Sequence, residues 1–373
     1  MKHFITAGAA LLLTTSIASA GGIDRSGNAY SVLFEEGNYA QLSFSAVNPD
    51  VTGDYPPGAP PAGLGGGSTD NMAESYSSFG VALKYGINDD IDVAVFLNQP
   101  YGANANYTAG AYTGLAAEWK SLQLSVLGKY QVNDAVSVYG GLRAVQSEAT
   151  IAVPPALVFG ASGGALAAPY TATANSDVQI GYVVGAAYEM PEIALRVSLT
   201  YESGVTHEFD TDEEFAGLPA ENNTTEIEMP QSVALDFQTG VAADTLVFGS
   251  VRWAEWSVWE VRPDLYQAEV GDRVTGIDSD VFTYRIGVGR RINEDLSVFA
   301  RVTYEESNGD EASRLAPTDG STSFGFGGSY TIDNTEISGG IEYAMLGDAT
   351  DGSGTSFEDN TALGFGINVG FSF

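Results

Sequence analysis

The residues of this 373-residue chain that could carry chemistry are few. It has no cysteine and two histidines, His3 and His207. That composition excludes thiol nucleophiles, thiolate metal sites and a disulfide framework, and it leaves too few ligands for a histidine metal centre. The scattered Ser and Asp residues form no nucleophile elbow, so no catalytic residue, metal or cofactor is expected, and His207 reads as a solvated residue at a strand end. What remains is a set of cations in a very acidic chain, 15 Lys+Arg against 48 Asp+Glu with a net charge of -33. Lys84, Lys129, Arg143, Arg196, Arg285 and Arg301 all fall opposite the oily residues of alternating segments. Two uses follow. Arg143 and Arg301, nearest mid-height, could attract the carboxylate of a ligand, or the set could pair with Glu202, Glu305 and Glu342 and brace the fold. The excess of anions excludes a nucleic-acid partner, which needs a basic patch. The acidic stretches around Asp212 and Asp351 lack the spacing of a calcium loop and read as solvated loops.

The elements that position these cations are strands. From Leu363 to Phe373 the odd positions Leu363, Phe365, Ile367, Val369, Phe371 and Phe373 are apolar, and the positions between them are small or polar. The same period of two runs through Leu296–Glu305 and Ile193–Glu202, in segments close to the roughly 9–11 residues that a tilted strand needs to cross a bilayer. Charged residues are 17% of the chain, against about 25% in soluble domains. A soluble sandwich also alternates, but it has no need of so many outward aromatics or of a terminal Phe373. Lipid on one face explains both.

Short connections near 86–90, 132–135, 189–192, 240–244, 292–295 and 332–334 alternate with long ones near 52–74, 102–116, 149–176, 208–226, 257–280, 307–319 and 347–360. Six short and seven long connections join fourteen strands, with both chain ends on the short-turn side. The expected fold is therefore all-β: a 14-stranded antiparallel transmembrane β-barrel in the outer membrane of a Gram-negative cell with both termini periplasmic. Residues 1–20, with Lys2, an apolar stretch and Ala18-Ser19-Ala20, read as a secretory signal peptide.

Several stretches are more specific. Pro100-Tyr101-Gly102 with Tyr107, Ala117-Glu118-Trp119 and Tyr139-Gly140-Gly141-Leu142 in the first half resembles the FadL/TodX group of outer-membrane transporters of hydrophobic compounds. In the second half Met229-Pro230-Gln231-Ser232, Asp244 and Val251-Arg252-Trp253-Ala254-Glu255-Trp256-Ser257 are similar to the same group. The resemblance implies a 14-stranded barrel with a short N-terminal hatch inside it, residues 21–38 forming the hatch and 39–373 the barrel. It also implies passive uptake of long-chain fatty acids or hydrocarbons that leave sideways into the membrane, by a monomer whose partners are the ligand, outer-membrane lipid and lipopolysaccharide. Where that family carries an Asn-Pro-Ala motif, this chain reads Phe34-Glu35-Glu36-Gly37-Asn38-Tyr39-Ala40, after a shorter hatch.

Within that frame Leu33 and Phe34 are expected to point into the lumen against wall or ligand. Pro100 cannot donate to a ladder, so Asn98, Gln99, Pro100, Tyr101 and Gly102 are the place for a lateral exit or for a plain strand end. Val153, Leu157, Val158, Phe159 and Leu166, apolar in an uncharged loop, suit a capture surface or a loop folded onto the rim. Trp253, Trp256 and Trp259 read as anchors at the membrane interface. The alternative functions are a general diffusion porin or structural barrel, and an outer-membrane hydrolase, for which no triad is visible.

Overall fold

The structure, a computed structural model, describes residues 23–25, 30–57 and 66–373. The signal segment lies outside the described residues. Seventeen strand segments bond into one sheet, and three of them resume an earlier strand after a short break, which leaves fourteen antiparallel strands. These are β1 (Tyr39–Asp50), β2 (Tyr76–Asn88), β3 (Ile91–Asn98, resumed at Gly102–Asn106), β4 (Ala116–Asn133), β5 (Val136–Val153), β6 (Tyr170–Met190) and β7 (Leu195–Glu202, resumed at Val205–Phe215). They continue as β8 (Glu221–Met229, resumed at Ser232–Ala242), β9 (Thr245–Ala254), β10 (Val281–Arg291), β11 (Leu296–Glu305), β12 (Ser321–Ile332), β13 (Thr335–Leu346) and β14 (Thr361–Ser372). β14 returns to pair with β1 from Tyr39↔Ser372 to Asp50↔Thr361, so the sheet closes into a barrel. Closure leaves no edge strand with unpaired backbone groups in hydrocarbon. Asp244 and Asp333 take positive φ, 57° and 52°, in two of the tight turns, a conformation that a short acidic side chain tolerates.

The alternation resolves as the sequence requires. On β14 Leu363, Phe365, Ile367 and Phe371 are exposed outward, while Ala362, Gly364, Gly366 and Asn368 are buried. The barrel is uneven in height. β4 and β5 have 18 residues each and β6 has 21, whereas β14 has 12. At about 3.3 Å per residue the tall strands greatly exceed the roughly 25 Å of an apolar band. Their upper parts therefore stand in water, and the outward charges of upper β7, Glu208, Asp210, Asp212 and Glu214, sit there at no lipid cost, with Phe209, Thr211, Glu213 and Phe215 buried behind them.

Three long connections are accordingly shorter than expected. Residues 149–153 and 170–176 belong to strands, 208–215 and 221–226 form a hairpin, and 102–106 complete β3. Above the lipid the outer face loses its oily residues, so the sequence there carries the marks of a loop while the backbone still pairs.

The mouth is covered. Helix α1 (Pro155–Ala161), helix α2 (Asp264–Val270) and a small sheet of Gly53–Asp54, Ala349–Thr350 and Ser356–Phe357 pack over it, around a core that includes Tyr55, Tyr107, Tyr112, Val158, Tyr170, Phe215, Tyr266 and Phe357. Buried Glu213 fixes α2 by accepting the Leu265 and Tyr266 amides, both at 3.1 Å, and the Tyr170 hydroxyl at 2.8 Å. A carboxylate at a helix start meets amides with no partner in their own helix. The Tyr112 hydroxyl meets Asp351, Ser353 and Thr355, and Tyr107 donates to the Arg314 carbonyl at 2.6 Å. Burial raises the pKa of both phenols, so each stays a neutral donor.

Candidate functional site: an enclosed cavity beside a break in the wall

The lower lumen is plugged from inside. A 3-10 turn, Tyr30–Phe34, places Val32 and Leu33 in full burial against Ala82, Ala94, Phe96, Leu127 and Tyr139 of the wall. Phe34 lies edge-on to Tyr139 at 5.8 Å and under the Arg196 guanidinium at 4.8 Å. Lys129 donates to the Leu33 carbonyl at 2.9 Å, and Lys84 to the Gly37 carbonyl at 3.2 Å. The same two lysines flank Asp92 at 3.2 and 3.3 Å.

All six lumen cations have partners. Arg143 binds Gln123 at 3.0 Å, Glu202 at 3.2 Å and the Ser203 carbonyl, and Arg301 pairs with Glu342. Arg196 donates to Gln238 at 3.1 Å and Arg285 to Thr303 at 3.4 Å. A guanidinium enclosed by carboxylate, amide and carbonyl oxygens has its charge compensated within the wall.

Between β2 and β3 the wall is interrupted. The ladder stops at Val81↔Leu97 and the next bridge is Ala73↔Ala105. Both pairs sum to the same register, so seven residues on each side, 74–80 and 98–104, lie between them, a span of about 23 Å, and the main-chain bond described across it is Glu74 N–H to the Asn104 carbonyl at 3.2 Å. Pro100 has no N–H to give. Side chains take over the broken positions: Gln99 accepts the Phe79 amide at 3.1 Å, and Ser121 of β4 both accepts from and donates to the Tyr101 backbone, at 2.9 and 2.7 Å.

A second strand fills the break from the lumen side. Ile23-Asp24-Arg25 runs antiparallel to Pro100-Tyr101-Gly102, with Arg25 N–H to the Pro100 carbonyl at 2.7 Å and Gly102 N–H to the Ile23 carbonyl at 2.8 Å. The Asp24 carboxylate accepts from Arg252 at 2.8 Å and from the Trp256 indole at 3.3 Å. Arg25 donates to the Gly102 carbonyl at 2.7 Å and to Asn104 at 2.9 Å, and its guanidinium covers the Tyr76 ring at 3.3 Å. A similar seam lies between β6 and β7, where pairing stops at Val183↔Glu202 and resumes at Ala174↔Thr211 in unchanged register. Side chains stitch that seam, among them His207 to Asp177 at 2.9 Å.

Behind the strap is a cavity of about 70 Å3. Its walls include Ile23, Ala103, Ala117, Trp119, Ile151, Ala172, Thr225, Ile227, Trp259, Val261 and Leu315; Glu118, the one charged residue among the described ones that border it, shares the outward face of β4 with its partner Lys120, opposite Trp119. A second cavity, bordered by Arg25, Tyr76, Gly102, Asn104 and Pro317, shares Ile23, Ala103, Leu315 and Ala316 with the first. Ile23 thus stands between an inner apolar chamber and one that touches the break. A lining that is apolar with a few polar groups is that of a small-molecule site.

The geometry corrects three expectations. His207 is fully buried, stacked 5.0 Å from Phe209 and bound to Asp177, because it takes an inward position on a strand that continues above the lipid. Trp256 and Trp259 are inside the barrel rather than at the membrane interface, because β9 ends at Ala254 and the chain then turns inward. Of the apolar residues proposed for ligand capture, Val153 and Val158 are buried and Leu157 and Leu166 pack on the same core, which leaves Phe159 exposed. That loop is folded onto the rim. Asp24, Arg25, Arg252 and the cavity-lining role of Trp119 were not read from the sequence, since nothing local marks which inward residues meet across the lumen.

A model of the outer membrane protein transport family (OMPP1/FadL/TodX) matches residues 26–365. The chain belongs to this family. No curated protein matches it in sequence. Among solved structures, a Pseudomonas aeruginosa FadL homologue is 13% identical, with 92% of each chain covered and a TM-score of 0.73. The P. putida toluene transporter TodX is 14% identical over 97% of this chain and 98% of its own, with a TM-score of 0.67. The Ralstonia pickettii toluene transporter TbuX is 15% identical over 98% and 99%, with a TM-score of 0.63. At such identities the likeness is one of fold, and it is the family match that places the chain among outer-membrane transport proteins.

Proposed function

We propose that this barrel is a passive outer-membrane channel for neutral hydrophobic small molecules, which enter under the lid, rest in the inner cavity and leave sideways through the break between β2 and β3. The observation that carries the reading is the cavity itself: its lining is nearly all carbon, and it touches the strap that fills the break. Transfer of apolar area out of water, worth roughly 25 cal/mol per Å2, supplies the driving force without a cofactor. A neutral ligand fits better than a fatty acid, because no Lys or Arg lines the chamber among the described residues, and a carboxylate there would stay uncompensated. A diffusion porin for polar solutes fits less well still, since Val32, Leu33 and the lid occupy the lumen. Both termini would be periplasmic, because β1 begins and β14 ends on the side of the tight turns.

The test restores the ladder. The double variant Gln99→Val and Pro100→Val, assembled in the outer membrane at wild-type level, is expected to lower uptake of radiolabelled toluene several-fold. Uptake equal to wild type, with a continuous ladder shown by amide protection at residues 98–102, would refute the lateral route.

A further inference from the structure

The chain has four tryptophans, and their indole N–H groups divide into two pairs. Trp253 donates to Asp280 at 3.0 Å and Trp256 to Asp24 at 3.3 Å. Trp119 and Trp259 are 5% and 6% exposed, and neither indole nitrogen has a hydrogen-bond partner among the described residues. These two are the tryptophans that line the inner cavity. Of the buried threonines at the cavity, Thr211 donates to the Phe209 carbonyl at 3.3 Å and Thr275 bonds the Ser313 hydroxyl at 2.6 Å, while the Thr225 hydroxyl is buried without a partner among the described residues. A buried donor left unpaired costs about 1–3 kcal/mol, and three gathered at one apolar chamber exceed what a packed barrel interior normally tolerates. Around Trp119 the neighbouring rings are Phe209 at 5.7 Å, Trp259 at 6.1 Å and His207 at 6.5 Å; the first two present π faces or edges, which are weak acceptors, and His207 Nε2 makes no hydrogen bond among the described residues.

We propose that this chamber selects neutral hydrophobic molecules that carry a hydrogen-bond-accepting oxygen, such as small aromatic or cyclic ketones, over plain hydrocarbons of the same size. This rests on the reading of the cavity as the ligand site and narrows its ligand class. The carbon lining supplies affinity, and the unpaired indole N–H groups and the Thr225 hydroxyl supply selection. A site built to donate rejects an analogue that lacks the acceptor, because its own donors then stay unpaired. An anionic oxygen is disfavoured because the described lining offers no Lys or Arg to compensate its charge.

The experiment is calorimetric titration of the full barrel in nanodiscs with acetophenone, its hydrocarbon near-isostere cumene, and benzoate. Wild-type protein is expected to bind acetophenone and to bind benzoate more weakly. Thr225→Val, which removes a donor at nearly constant volume, and Trp259→Phe, which removes one together with part of the ring system, should each weaken acetophenone about tenfold, the equivalent of 1.4 kcal/mol, and leave cumene much less affected. Heat-modifiable migration on gels checks that each variant is folded, and because the two changes lie on different elements, loss of one variant leaves the other informative. An equal effect on acetophenone and cumene in a folded variant would overturn the proposed selection while leaving the hydrophobic reading in place. Benzoate binding as tight as acetophenone would overturn neutrality. Absence of binding by both acetophenone and cumene would overturn the cavity reading itself and the inference with it.

Discussion

Replacement of Asp24 by alanine tests how the strap is held in the break. In the structure that carboxylate is the shared acceptor of Arg252, at 2.8 and 3.4 Å, and of the Trp256 indole at 3.3 Å. Truncation leaves a guanidinium and an indole N–H unpaired. Breaking a fully buried pair of this kind costs about 3–5 kcal/mol. The Arg252 side chain keeps 29% exposure and can recover some water, which brings the expected loss to about 2 kcal/mol. The remaining strap contacts, two backbone bonds and two from Arg25, are worth about 0.5–1.5 kcal/mol each, so the strap should open far more often without the barrel unfolding. At 1.4 kcal/mol per factor of ten, the Arg25 and Gly102 amides should exchange about thirtyfold faster in Asp24→Ala, while amides of β13 and β14 keep their protection. Hydrogen exchange read by mass spectrometry in nanodiscs resolves both sets. Unchanged protection at Arg25 and Gly102 would refute the assignment of Asp24 as the strap's anchor.

Two further outcomes are expected. Arg301→Met and Arg143→Met should each lower the heat resistance of the folded barrel, by about 3–5 kcal/mol for a carboxylate left without its guanidinium, and should change uptake of a fatty acid and of an alkane of similar length alike. Selective loss of the acid would instead restore a ligand-binding role for these arginines. The Tyr112 phenol is raised above its ordinary value of 10.0 chiefly by burial. The closed lid therefore favours the protonated form, and the stability it gains is present below pH 10 and lost as pH rises beyond it. Alkaline titration should loosen the lid above about pH 10, read as faster exchange at the Tyr112 amide, and Tyr112→Phe should flatten that profile; a flat wild-type profile to pH 12 would contradict it.

The sequence by itself determined the barrel. A period of two with oily residues on one face admits a single placement in lipid, so strand number, the short-turn side, the outward row ending in Phe373 and the inward set of cations all follow from it. The cost of an outward Arg or Lys near mid-bilayer, about 2–4 kcal/mol, is what makes the direction of Arg143 and Arg301 legible before any coordinates. Pro100 was legible for a similar reason, since a missing N–H must interrupt a ladder wherever it falls. The upper strands were less so. Once a strand leaves the lipid its outer face no longer needs oily residues, and Glu208, Asp210 and Asp212 look like a loop although they alternate with buried His207, Phe209 and Thr211.

Only the tertiary structure decided what the inward residues meet. Periodicity says that a side chain points into the lumen, and it is silent on which of the other strands it faces there. Asp24 finds Arg252 across 228 positions of sequence, and Trp119 finds Trp259 from another wall. An indole at a membrane interface and an indole folded inward have the same local sequence, which is why Trp256 and Trp259 could not be told from anchors until the chain was seen to turn in after Ala254. The pairing of Arg143 with Glu202 and of Arg301 with Glu342, and the carbon-lined space beside the break, are products of barrel closure, which brings distant strands to a common height. Alternation sets the face of each residue, and closure sets its neighbours.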